Sequence, residues 1–243
     1  IGSLLWENTE ERINWRKNLD ISKKQFIKLP IRYGRQSNQN RHGTYSMVFS
    51  NETNISTLIG QGVVIPFKNL ISSKAEFNEL MLQLSEAEGI SNQYICKSWG
   101  TVSIILNPFI IDEKRDQIDE YWTDLVTITK QSLNNSAREP RIEKFGEDSE
   151  VKSIDENWKL TLNLHKQFST ELNIFDALIA TSNAVKLQEE INKYPTVKQI
   201  AKAIYDNQYF EYFLNNTSNS IRTFQDRKIA KILKRKYKVS LKK

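Results

Sequence analysis

At 243 residues, with 39% hydrophobic and 10% aromatic side chains, the chain can bury one large core or two small ones and is not a disordered polymer. Its longest apolar stretch, residues 102–111, contains Ser103, Asn107 and Pro108, so it falls short of the roughly 20 apolar residues of a membrane span. The net charge of +6 is unevenly spread: residues 1–41 carry nine Lys/Arg against four Asp/Glu, residues 227–243 carry nine Lys/Arg and no acid, and the region between is acidic.

The opening Leu4-Leu5-Trp6 runs at once into Glu7, Glu10 and Glu11, unlike the basic start and long apolar run of a signal peptide. A lone Cys96 forms no internal disulfide and no thiolate cage, and its place between Ile95 and Trp99 reads as core. Together these features predict a cytoplasmic protein in a reducing compartment.

Residues 6–19, with Trp6, Ile13 and Trp15 among charges, are expected to form a short amphipathic helix. From Phe26 the period changes to two: Ile27, Leu29, Ile31 and Tyr33 share one face of a strand, and Pro30, which cannot donate to a ladder, places that strand at an edge. Strands over residues 44–49 and 62–67 follow as a hairpin set. Ser73 to Glu76 has the spacing of a capping box, Phe77, Leu80, Met81 and Leu84 form a helical stripe, and Gly89 ends it. A strand over 100–106 and a helix after Asp112, with Ile118, Tyr121, Trp122 and Leu125 on one side, complete the first half.

Residues 134–149, polar and containing Pro140 and Gly146, read as a linker. Beyond it, Trp158, Leu160, Leu162 and Leu164 alternate as in a strand, although Ser153 to Glu156 also resembles a helix cap. From Ile174 onward the pattern is helical: Phe175, Leu178 and Ile179 make one stripe, Thr196-x-x-Gln199 caps another helix, and Thr223 caps a last one with Phe224, Ile229, Ile232 and Leu233 inward. Tyr209, Phe210, Tyr212 and Phe213 are placed as the aromatic lock between these helices. The fold class expected is α+β: a small antiparallel or mixed sheet covered by helices over 1–133, a linker at 134–149, and a mainly helical region over 150–243 with a basic last helix.

Three features carry possible chemistry. Between the first two strands of the hairpin, Arg35, Gln36, Ser37, Asn38, Gln39, Asn40, Arg41 and His42 all hydrogen-bond, with no acid among them. Arg, Asn and Gln are the residue types that hold phosphates and read base edges, so Arg32, Arg35, Gln36, Asn38, Asn40 and Arg41 are candidate nucleic-acid contacts. Lys228, Lys231, Lys234, Arg235 and Lys236 of the last helix are candidates for the phosphate backbone. His42 and Tyr45, beside those arginines, are the candidate proton-transfer pair should the site be catalytic.

Asp148-x-Glu150-x-Lys152 has the residue types of a metal-dependent nuclease, but short acid–lysine strings are common in so charged a chain. No His/Cys metal spacing, glycine-rich phosphate loop or Gly-x-Ser-x-Gly elbow occurs in the sequence. No cofactor is assigned, and a divalent metal enters only for a nuclease.

The stretch Thr196-Val197-Lys198-Gln199-Ile200-Ala201-Lys202-Ala203-Ile204 resembles the opening helix of helix-turn-helix and winged-helix DNA-binding domains. The resemblance covers this one helix and ends there, since neither a glycine-containing turn nor a recognition helix is evident at residues 206–210. It implies DNA as a partner. The expected function is therefore nucleic-acid binding, within a processing or defence complex or as a nuclease, with no membrane partner. The alternatives are an adaptor that docks its basic ends on an acidic protein and a small-molecule enzyme that holds an anionic ligand with Arg32, Arg35 and His42.

Overall fold

The computed structural model describes residues 2–37, 41–52, 59–134 and 137–241. After a 3-10 turn at Ser3–Leu5, helix α1 (Glu10–Lys17) is capped by the Thr9 side chain and leads to strands β1 (Gln25–Leu29) and β2 (Ile31–Gln36). Strands β3 (Tyr45–Phe49) and β4 (Gly60–Val64), helix α2 (Lys74–Ala87), strands β5 (Cys96–Lys97) and β6 (Gly100–Leu106), and helix α3 (Asp112–Leu133) follow. The chain closes with the short α4 (His165–Phe168), β7 (Ala177–Asn183), α5 (Val197–Asp206), α6 (Glu211–Ser218) and α7 (Asp226–Arg235). The molecule is α+β, with antiparallel sheets and helices against them. No helix among the described residues is long and apolar enough to cross a membrane.

Two expectations are corrected. The single strand expected over residues 26–33 is two strands, because Pro30 ends the ladder: β1 pairs with β4, from Gln25 opposite Val64 to Leu29 opposite Gly60, whereas β2 pairs with β3. The Pro30 carbonyl still accepts from Ser50 N at 2.9 Å, so the break leaves its acceptor satisfied.

The second correction lies at residues 177–183, expected to be helical and in fact strand β7. It pairs antiparallel with β6 along its whole length, from Leu106 opposite Ala177 to Gly100 opposite Asn183. The apolar spacing of Phe175, Leu178 and Ile179 fits a helix turn, but β6 has only the two-residue β5 on its other edge. Its unpaired backbone decides the conformation of the later segment.

Residues 158–164 form no continuous strand: Lys159 bridges Ile104 and Leu160 bridges Ile154, and Leu160, Leu162 and Leu164 are all buried. Where Ser73 was to share a capping box with Glu76, its side chain does cap the Glu76 N–H, while the Glu76 carboxylate instead accepts from Ser72. Thr223 meets the buried Asp226 carboxylate by both its N–H and its hydroxyl at the start of α7.

Elements from both ends of the chain share one core. Trp15, Phe77, Met81 and Trp122 belong to the same buried cluster as Phe168, Ile200, Phe213 and Leu233. Phe145 is fully buried, and Lys144 O accepts from Val185 N at 2.7 Å, so residues 142–145 are tied into that body. Between the β1–β4 and β6–β7 pairs lies a cavity of about 860 Å³, its walls including Ile27, Leu29, Val64, Ile104, Ile118 and Ile179. A sealed dry void of that size would cost on the order of 20 kcal/mol. Since that exceeds the roughly 5–15 kcal/mol by which a domain is stable, the space must be open to solvent or filled.

Gly34 sits at the register shift in β2 and is held there by contact rather than by a left-handed backbone. A Cβ on it would come within 2.3 Å of Val48 Cγ2 and 3.2 Å of the Tyr194 ring. Gly34→Ala is expected to lower unfolding stability by about 1–3 kcal/mol, the usual range for overpacking, with the denaturant midpoint as the measurement.

Candidate nucleic-acid interface

The β2–β3 hairpin carries the first set of candidate residues, and most of its cations turn inward. Arg32 pairs with Glu52, and its guanidinium stacks 3.8 Å from the Tyr194 ring centre and 5.4 Å from that of Phe224. Burial pulls its pKa down, opposed by Tyr194, Glu147 and Glu150 nearby. Arg35 donates to Ala184 O at 3.3 Å beside the Trp99 ring, and burial lowers it to about 10. Arg41 reaches Ser3 Oγ at 2.8 Å and Glu7 at 3.4 Å across the Tyr212 ring, and Gln36 donates to Gly43 O at 3.0 Å. Asn38 and Asn40 lie outside the described residues.

The proton-transfer candidates differ in setting. His42 is exposed, adopts a left-handed φ of 50° and rests its ring 5.2 Å from Tyr209. Tyr45 is buried, which raises its pKa and keeps it a neutral phenol. Cys96 is buried as expected of a core residue, and burial lifts its thiol to about 12.

The Asp148-x-Glu150-x-Lys152 string does not converge on one point. Glu150 is an acceptor hub that takes bonds from Ser50 Oγ and Tyr194 Oη at 2.8 and 2.6 Å and from Glu52 N, whereas Lys152 Nζ donates to Glu147 O and Asp148 accepts from Asn192. Among the described residues no group of three or more His, Cys, Asp or Glu could hold a metal ion.

Helix α7 is arranged oppositely. Ile229 and Leu233 are fully buried and Asp226 nearly so, while Arg227, Lys228, Lys231, Lys234, Arg235 and Lys236 are exposed. At ~100° per residue, Arg227, Lys228, Lys231, Lys234 and Arg235 fall within an arc of roughly 120° opposite the buried side. None of the six makes an ion pair among the described residues.

Helix α5 packs on this helix, and the residues that follow it reach the hairpin. Its Ile200, Ala201 and Ile204 are buried, and Tyr205 stacks on Tyr237 at 4.2 Å just beyond α7. Asn207 and Tyr209, one turn on, adjoin Gly43 and His42 at the hairpin tip. At the other end Gln225 Oε1 accepts from Tyr33 N at 2.8 Å, so the start of α7 is bonded to β2 itself. The anchors to the hairpin were not foreseeable, because they join residues more than 160 positions apart.

No family model, curated protein or solved structure matches the chain.

Two outcomes follow. Arg32→Ala removes a stacked, half-hidden cation from between two rings and strands Glu52, so it is expected to cost about 1–3 kcal/mol in chemical unfolding. Asp226 supplies a pH test: burial raises it to about 6, against hydrogen bonds from Thr223 that lower it. The folded state thus holds a proton between about pH 4 and 6 that the unfolded state has released, and stability falls as pH rises through that window. Asp226→Asn is neutral throughout, so its stability relative to the parent should rise by roughly 2–3 kcal/mol between pH 4 and pH 7 in paired urea titrations.

Proposed function

We propose that this protein binds nucleic acid through the phosphate backbone, with helix α7 as the principal contact and the β2–β3 loop as a secondary one. The observation that carries the reading is the exposed cationic face of α7: Arg227, Lys228, Lys231, Lys234 and Arg235, without an ion pair among the described residues and followed by Lys236 at the C-cap, on a helix whose opposite side is fixed in the core. Cations held in this way release condensed counterions when they meet phosphates, and that release is a large part of nucleic-acid affinity.

Arg32, Arg35 and Arg41 have a different part in the proposal. Their groups are engaged within the chain, so they hold the hairpin strands, and base contact falls to other side chains. Three helices, α5, α6 and α7, follow one another at the C-terminal end, with α7 packed on α5. This extends the helix-turn-helix resemblance of the α5 sequence in the direction of a basic third helix. The reading is of binding; metal-dependent cleavage would require a carboxylate cluster, and among the described residues Glu150 and its neighbours form none.

The test is fluorescence anisotropy with labelled double-stranded DNA and single-stranded RNA between 50 and 200 mM salt. Affinity should fall steeply, and replacing Lys234, Arg235 and Lys236 together by Ala should reduce the log–log salt slope by about 2–3. Affinity that does not depend on salt, or a triple variant with the parent's slope, would show that α7 is not a phosphate contact.

A further inference from the structure

The large cavity is remote from the cationic helix in its chemistry. Its inner walls are aliphatic and aromatic, built by β1 and β4 on one side and by β6, β7 and α3 on the other. Its volume of about 860 Å³ lies within the roughly 300–1,000 Å³ of small-molecule sites. Water is a poor filler for such walls, because an ordered water needs two to four polar partners. Most of the polar side chains that border it, Lys23, Lys24, Asn69, Lys114 and Gln117, are exposed and therefore stand at the rim.

Two further observations define the occupant. Leu70 and Ile174, both bordering the cavity, are 89% and 70% exposed, so an apolar lip continues the wall out to solvent. The rim is also cationic. Lys23 pairs with Asp20 at 3.1 Å and Lys114 with Asp176 at 2.6 Å, whereas Lys24, beside the Phe26 ring, makes no ion pair among the described residues.

We propose that this cavity is a binding site for a long-chain carboxylate, with the hydrocarbon tail between the β1–β4 and β6–β7 pairs and the carboxylate at the rim against Lys24. An extended apolar interior with, among the described residues, one rim lysine outside any ion pair matches a molecule that is apolar along its length and anionic at one end. The site is independent of α7.

The experiment uses the full chain and the fluorescent probe dansyl-undecanoate, displaced by palmitate or by the uncharged 1-hexadecanol. One saturable site is expected, with palmitate the stronger competitor, and palmitate should raise Tm. Lys24→Glu is a surface change that leaves the fold intact; it should weaken palmitate roughly fivefold and leave hexadecanol unchanged. Ala177 and Ala180 border the space and lie on opposite faces of β7, so of Ala177→Phe and Ala180→Phe at least one should place its ring in the space and abolish probe binding while keeping a cooperative unfolding transition. Absence of saturable probe binding by the parent would overturn the site, as would parent-like binding by both alanine variants. Equal competition by palmitate and hexadecanol, with Lys24→Glu inert, would overturn the carboxylate. Replacing Lys234, Arg235 and Lys236 by Ala should leave palmitate binding unaltered, which separates this site from the nucleic-acid reading.

Discussion

The pairing of β6 with β7 is the constraint on which the rest of the fold depends. Seven residues of each strand face one another, and they come from positions on either side of the polar stretch at 134–149. Without β7, β6 would expose a hydrogen-bonding edge beside Val102 and Ile104, two fully buried side chains. Once β7 is in place, the chain leaving it runs along β2: Lys186 N donates to Gly34 O at 2.9 Å, and Gln36 N donates to Lys186 O at 2.7 Å. The later helices are thereby delivered to the hairpin side of the molecule, where Gln225 and Tyr212 bond the backbones of β2 and β3.

That delivery divides the basic residues into two populations. Arg12, Arg32 and Arg41, near the start of the chain, are drawn against Glu7, Glu52 and Glu88 and against aromatic faces, and so work as internal ties. A guanidinium suits this task because it keeps its charge when partly buried and stacks flat on a ring. The lysines of α7 make no ion pair among the described residues, and they lie on the side away from the buried Ile229 and Leu233. Both ends of the sequence are basic, but the arginines of the first are engaged within the chain, whereas the cations of α7 are exposed and make no ion pair among the described residues.

The same arrangement bears on the cavity. The β1–β4 pair and the β6–β7 pair belong to separate sheets, Pro30 divides β1 from β2 of a third, and the space between the first two is walled by side chains from both. A continuous strand across residue 30 would have kept β1 beside the hairpin and left no second sheet to face β7.

Sequence alone determined the elements whose signals are local. The cap at Ser73 with its apolar stripe, the Thr196–Gln199 capping box, the β6 strand and the cationic face of α7 each depend on neighbours within a few positions, and each is where its residues indicate. Only the tertiary structure decided the rest. Residues 177–183 are a strand because β6 lacked a partner, Arg32 is an internal tie because Glu52, Tyr194 and Phe224 surround it, and the cavity exists because separate sheets formed where one was expected. The reason is common to all three: backbone and charge are satisfied by whatever lies nearest in space, and a linear pattern carries no distance between residues a hundred positions apart.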